Sequence, residues 1–160
     1  MNPQDLKDYI VRPTLKAIKE FIPYSLAGER LVLGTAAQES HLYYLDQTTP
    51  GPGPAYGIYQ MEWATHQYHV SWLKEKPLFY QLVDQFQIRH LDNCDEMHGN
   101  LYYATIMCRV HYWRCPQKLP LANDIPGLAN YWKKYYNTYL GSGTVEEFIR
   151  NYNLLIKGLK

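Results

Sequence analysis

The chain is poor in cysteine: Cys94, Cys108 and Cys115 are the only three in 160 residues. An odd number at irregular spacing excludes the paired framework of a small disulfide-stapled domain, and reduced thiols are expected. No stretch approaches the roughly 18 uninterrupted apolar residues of a membrane helix. The N-terminal MNPQDLKDYI lacks a basic leader ahead of an apolar run, so no signal peptide is expected and synthesis is placed in the cytoplasm. Charge of one sign is lacking too: 16 Lys and Arg against 15 Asp and Glu leave a net +1. That gives no basic stripe of the kind a nucleic acid needs. Alternating strand patterns are nearly absent, and no repeat or low-complexity segment occurs.

What remains is the size of one ordinary domain, 1–160, with helical patterning and an excess of tyrosine, 16 residues in all. Tyrosine joins an apolar ring to a polar tip, so it can fill an aromatic-rich core or line a groove. Leu6, Ile10, Ala17, Ile18 and Ile22 predict one or two amphipathic helices, with Pro13 at a first turn or a kink and Pro23 as the stop. Further helices are read from about Ala27 to Tyr43, Glu62 to Leu73 and Leu78 to Leu91. The run from Asn100 to Arg114 is apolar nearly all round, which marks a buried central helix. Asp124 is a good N-cap, with Pro126 in the first turn and Leu128, Tyr131, Trp132 and Tyr135 on one face. Thr144-Val145-Glu146-Glu147 is a capping box for a last helix that buries Val145, Phe148, Ile149 and Tyr152. The class is therefore mainly α, with about seven helices around the central one.

The stretch from Leu31 to Met61 carries the chemistry. Val32, Thr35, Ala36, Glu39 and Tyr43 recur at helical spacing, so Glu39 shares a stripe with small and apolar side chains. A carboxyl group partly removed from water has its charged form disfavoured, and its pKa rises. Such a group stays protonated long enough to act as a general acid. The PGPGP run at Pro50 to Pro54 cannot continue a helix, so the chain turns back in a loop or short β-hairpin flap. Gly57-Ile58-Tyr59-Gln60 then brings Gln60 towards the carboxylate.

Glu39-Ser40 closing a helix, a glycine-proline loop, and Gly57-Ile58-Tyr59-Gln60-Met61 together resemble the lytic transglycosylase and goose-type lysozyme group of the lysozyme-like superfamily, of a phage type. A tyrosine stands where that family usually has methionine in Gly-Leu-Met-Gln. A third family motif is approximated by Tyr136-Asn137 with Gly141, although Thr138-Tyr139-Leu140 intervene and no alanine precedes the tyrosine. The resemblance covers residues 27–152 and implies a lysozyme-like fold that cleaves the β-1,4 bond between N-acetylmuramic acid and N-acetylglucosamine in peptidoglycan. It implies Glu39 as the acid/base and a substrate site at Ser40, Gly57, Tyr59, Gln60, Met61, Tyr136 and Asn137. In those roles Ser40 orients Glu39, Gln60 bonds an N-acetyl group or the carboxylate, and Tyr136 fixes the acid from across the cleft. No cofactor and no metal is implied. The partners are peptidoglycan strands and, for a phage protein, other virion proteins, with delivery to the wall by release or by the virion.

A transglycosylase needs one carboxylate, whereas a hydrolase needs a second, for which Asp46, Glu62, Asp92 and Asp95 are the nearest in sequence. A non-catalytic glycan-binding or virion structural protein is the reading of another class. His90, Cys94 and His98 at i, i+4 and i+8, with Asp95 nearby, form a weak zinc or nickel pattern, because Asn93 and Gly99 disfavour a helix there. His66 and His69 are read as exposed on a short helix. Arg109 and His111, inside the apolar helix, are expected to be satisfied by hydrogen bonds.

Overall fold

The structure, a computed structural model, describes residues 1–45 and 54–160. Among these the chain is mainly helical, with one two-stranded sheet. Asn2 caps the N-terminus through its side chain, and α1 (Pro3–Asp5), a π-helical segment (Leu6–Val11) and α2 (Arg12–Ala17) run on as one rod. Pro13 neither stops nor starts this rod. Proline has no N–H to give the preceding turn, and the wider π turn lies just ahead of its ring. The Thr14 hydroxyl donates to the Ile10 carbonyl at 2.6 Å.

Ser25 caps α3 (Leu26–Ser40) by accepting from the Gly28 N–H. This helix is buried over most of its circumference, from Leu31 through Ala37 and again at Ser40. It ends three residues earlier than expected. His41 and Leu42 both take positive φ, 49° and 61°, which breaks the helix, so Tyr43 is exposed rather than on the Glu39 stripe. Asp46 and the first four residues of the PGPGP run, Pro50 to Gly53, lie outside the described residues.

The chain returns as an antiparallel hairpin, β1 (Ala55–Tyr56) and β2 (Met61–Glu62), with Ala55 opposite Glu62 and Tyr56 opposite Met61. Its turn points inward: Ile58 and Tyr59 are fully buried. Gly57 makes this possible, because at φ +69° a Cβ there would sit 2.5 Å from the Met97 carbonyl oxygen. Then come α4 (Trp63–Lys74), α5 (Pro77–Gln85) and the single turn α6 (Glu96–Gly99).

Asn100 caps α7 (Leu101–Trp113), whose Ala104, Ile106, Met107, Cys108 and Val110 are all buried. It is the central helix that its apolar composition predicts. Asp124 caps α8 (Ile125–Trp132), which continues as a π turn, Lys133–Asn137. Thr144 and Glu147 form the capping box of α9 (Val145–Leu155). No described helix is long and apolar enough to cross a membrane.

The pair that places the site is α3 against α9. Gly34 lets them meet, since a Cβ there would lie 2.4 Å from the Phe148 ring, itself fully buried and unable to move aside. Phe148 in turn packs on Trp132. Gly34→Ala should therefore destabilise the fold by about 1–3 kcal/mol through overpacking, measured as a lowered urea midpoint with an unchanged denaturant slope. A midpoint equal to the parent's would show that α3 and α9 have slack at this contact.

Candidate functional site

Glu39 stands one residue from the end of α3, where Val32, Thr35 and Ala36 carry its stripe into the core and the helix end opens on a cleft. The cleft encloses about 450 Å³. Glu39, Gln60, Met61, Glu62, His111 and Tyr136 line it, with the loop from Asn137 to Ser142 along one side. The indole Nε1–H of Trp132 donates to Glu39 Oε1 at 2.8 Å. Burial raises the Glu39 pKa to about 7, and the Trp132 bond, which favours the charged form, pulls the other way without reversing it. A carboxyl group poised near neutrality can give up a proton and take one back.

The structure brings together part of the expected site. Gln60, Met61, Tyr136 and Asn137 all line the cleft with Glu39. Gln60 does not reach the carboxylate: its side-chain amide donates to the Gly57 carbonyl at 2.7 Å. Tyr136 does not hold the acid either, since its hydroxyl donates to the Tyr59 carbonyl at 2.8 Å. Trp132 takes that role. Three expected contacts are corrected outright. The Ser40 hydroxyl is buried and donates to the Ala36 carbonyl one turn back, Gly57 is buried under Met97, and the Tyr59 ring is in the core with its hydroxyl 2.9 Å from Thr105 Oγ1. None of the three lines the cleft.

Of the carboxylates considered as a second catalytic group, Glu62 lines the cleft, Asp92 pairs with Lys74 at 2.6 Å, and Asp95 is exposed. A larger concavity, about 700 Å³, lies between Phe86, His90 and Tyr102, but its Arg89, His90 and Asp95 are solvent-exposed. His90, Cys94 and His98 do not share a helix, and no group of three metal-ligating side chains forms among the described residues. All three cysteines are free.

His66 and His69 are buried, not exposed, because α4 turns them towards α7. His66 Nε2 meets the Tyr103 hydroxyl at 2.8 Å. His111 Nε2 lies 2.6 Å from the Tyr135 carbonyl oxygen, which only accepts, so that nitrogen carries the proton. His111 Nδ1 then accepts from His69 Nε2 at 3.0 Å, and His69 Nδ1 accepts from Arg114 at 3.2 Å. Both ring nitrogens of His69 and of His111 are thus used in the neutral form. Burial accordingly lowers the pKa of His66 to about 4 and of His69 to about 3, the latter helped by His111 and Arg114. Arg109 is satisfied more thinly, by the Pro23 carbonyl at 3.4 Å and the Trp113 ring.

Two cleft-lining residues, Gln60 and Thr138, have positive φ, as do His41 and Leu42 just after α3 and Gln87 elsewhere, and Thr138 at φ 61°, ψ 176° occupies a region reserved almost wholly for glycine. Sequence reasoning missed Trp132 as the carboxylate's partner and the His69–His111 pair. The first was within reach, since Trp132 precedes Tyr136 by one helical turn and so points the same way.

Comparison of the chain with protein-family models, with characterised proteins and with solved structures finds no match.

The titration of Glu39 has a consequence for stability that needs no substrate. Its folded pKa lies above its unfolded value of 4.5, so the folded state binds the extra proton and stability falls as pH rises from about 4.5 to about 7. Glu39→Gln keeps an acceptor for Trp132 and removes the charge. It should stabilise the protein by about 1–3 kcal/mol at pH 8 and leave it unchanged near pH 4. The buried histidines act oppositely: their folded pKa values are depressed, so both proteins lose stability as pH falls below about 6.5. Thermal unfolding of the two proteins from pH 4 to 8 measures the difference, and a gap independent of pH would show Glu39 to be normally solvated.

Proposed function

We propose that the cleft cleaves the β-1,4 bond between N-acetylmuramic acid and N-acetylglucosamine in peptidoglycan, as a lytic transglycosylase of lysozyme-like fold. The observation that carries this reading is Glu39 itself: a half-buried carboxyl group with its pKa near 7, anchored by Trp132 at the wall of an open, polar cleft. It joins the resemblance in the order of the Glu-Ser, Gly-Ile-Tyr-Gln and Tyr-Asn motifs.

Protonated Glu39 donates to the glycosidic oxygen, and the bond to C1 of the muramyl sugar breaks with positive charge developing at that carbon. The carboxylate left behind takes the proton of the muramyl C6 hydroxyl as that oxygen bonds to C1. The product is a 1,6-anhydro sugar, no water is consumed, and Glu39 ends protonated as it began. The Trp132 N–H steadies the carboxylate between the two transfers. Gln60, Met61, Tyr136 and Asn137 form the sugar-facing wall, and Tyr136 is held there by the Tyr59 carbonyl. Delivery to the wall by release or by a virion belongs to the same reading.

Glu62 favours a second reading. It lines the same cleft, so it can activate a water or stabilise a glycosyl intermediate, which would make the protein a hydrolytic muramidase. A glycan-binding or virion structural role without turnover would use the same cleft and leave Glu39 chemically idle.

Mass spectrometry of the soluble products released from peptidoglycan separates the three. Anhydro-muropeptides from the parent, lost by at least about a hundredfold in Glu39→Gln and retained in Glu62→Gln, are expected for a general acid/base. Reducing-end products that disappear in Glu62→Gln would instead make it a hydrolase, and glycan binding without products would make it a binding protein. The rate should fall above about pH 7, where Glu39 loses the proton it must donate.

A further inference from the structure

The cleft does not end at His111. A second concavity of about 410 Å³ adjoins it, and Thr65 and His111 line both. Tyr68, His69, Arg114 and Tyr135 form much of the rest, and Arg114 is the one side chain there that is charged while the histidines stay neutral.

Arg114 is held in a fixed pose. Its Nη1 donates to the Tyr68 carbonyl at 2.9 Å and to His69 Nδ1, and its guanidinium lies over the Tyr68 ring, 3.7 Å from the centroid. His69 can accept because its own proton is committed to His111, whose proton is committed to the Tyr135 carbonyl. One corner of the guanidinium is thereby clamped. Its Nε and Nη2 edge meets no acceptor, and the cation pairs with no Asp or Glu, among the described residues. That edge is the fork that binds a carboxylate through two parallel hydrogen bonds.

The neighbouring cleft has the opposite character, since Glu62 faces it and, among the described residues, no Lys or Arg lines it. An anionic group is repelled there and attracted one step along, beside Arg114. Resting on the proposed glycan-cleaving reading, we infer that the second concavity is a subsite for a carboxylate-bearing unit of the glycan, gripped by Arg114. It sets the register in which the strand lies: an uncharged segment across Glu39, an acidic group at Arg114. In peptidoglycan the acid is either the lactyl carboxylate of a bare muramyl sugar or a carboxylate of the stem peptide.

Calorimetric titration tests this with three tetrasaccharides of alternating N-acetylglucosamine and N-acetylmuramic acid, in the Glu39→Gln background so that none is consumed. In one the lactyl carboxylates are free, in one they are amidated, and in one they carry stem peptides. A free or stem-bearing form is expected to bind at least about tenfold more tightly than the amidated form. Arg114→Gln should erase that ratio by weakening the acidic forms far more than the amidated form, while Arg114→Lys retains part of it. Whichever acidic form shows the Arg114-dependent gain identifies the source of the carboxylate. Equal affinities for acidic and amidated forms, or an equal loss for all three in Arg114→Gln, would overturn the subsite and leave the catalytic reading standing. Failure of all three to bind would overturn both.

Discussion

A carboxyl group drawn out of water at a helix end either takes up a proton or is held by a donor, and Glu39 does some of both. The single N–H of Trp132 is enough to orient the group and too little to keep it ionised at neutral pH. Much of the molecule serves that pairing. Gly34 lets α9 approach α3, Phe148 of α9 backs the Trp132 ring, and Asp124 starts α8 in the register that delivers the indole to the end of α3. A second donor would push the pKa down towards an ordinary carboxylate and take away the proton that Glu39 keeps near neutral pH.

The opposite wall depends on backbone carbonyls rather than side-chain charges. Tyr59 offers its carbonyl to Tyr136, and Tyr135 offers its own to His111, so both residues that face the cleft from this side are pinned by neutral hydrogen bonds. The π turn at Lys133–Asn137 is where the two meet. Local widening of a helix commonly marks functional sites, and here it carries the helix straight from the Trp132 anchor into the cleft-lining loop. Positive φ at Thr138 and Gln60 belongs to the same rim.

The two concavities divide the electrostatic work. Carboxylates face one, and a clamped guanidinium faces the other, with a pair of neutral histidines between them. Neutrality in that pair is enforced by bonding, since a proton on His69 Nδ1 would point at Arg114. The two adjoining concavities therefore differ in electrostatic character as well as in lining.

Helix starts were the part most open to reading from the chain, because caps are local. Asp124, Thr144 with Glu147, and the all-round apolar α7 follow from residues a few positions apart. The stripe beneath Glu39 is legible for the same reason, and so is the raised pKa it implies. Tertiary structure decided whatever depends on distant partners. It chose Trp132, 93 residues away, to hold the acid, and it buried His66 and His69 that local polarity placed outside. It also sent Tyr59 into the core while its neighbour Gln60 faces the cleft, a choice made by a buried turn whose shape rests on the close approach of Gly57 to Met97. Periodicity reports which face of a segment is apolar, whereas the partner that meets that face is set by packing across the whole chain.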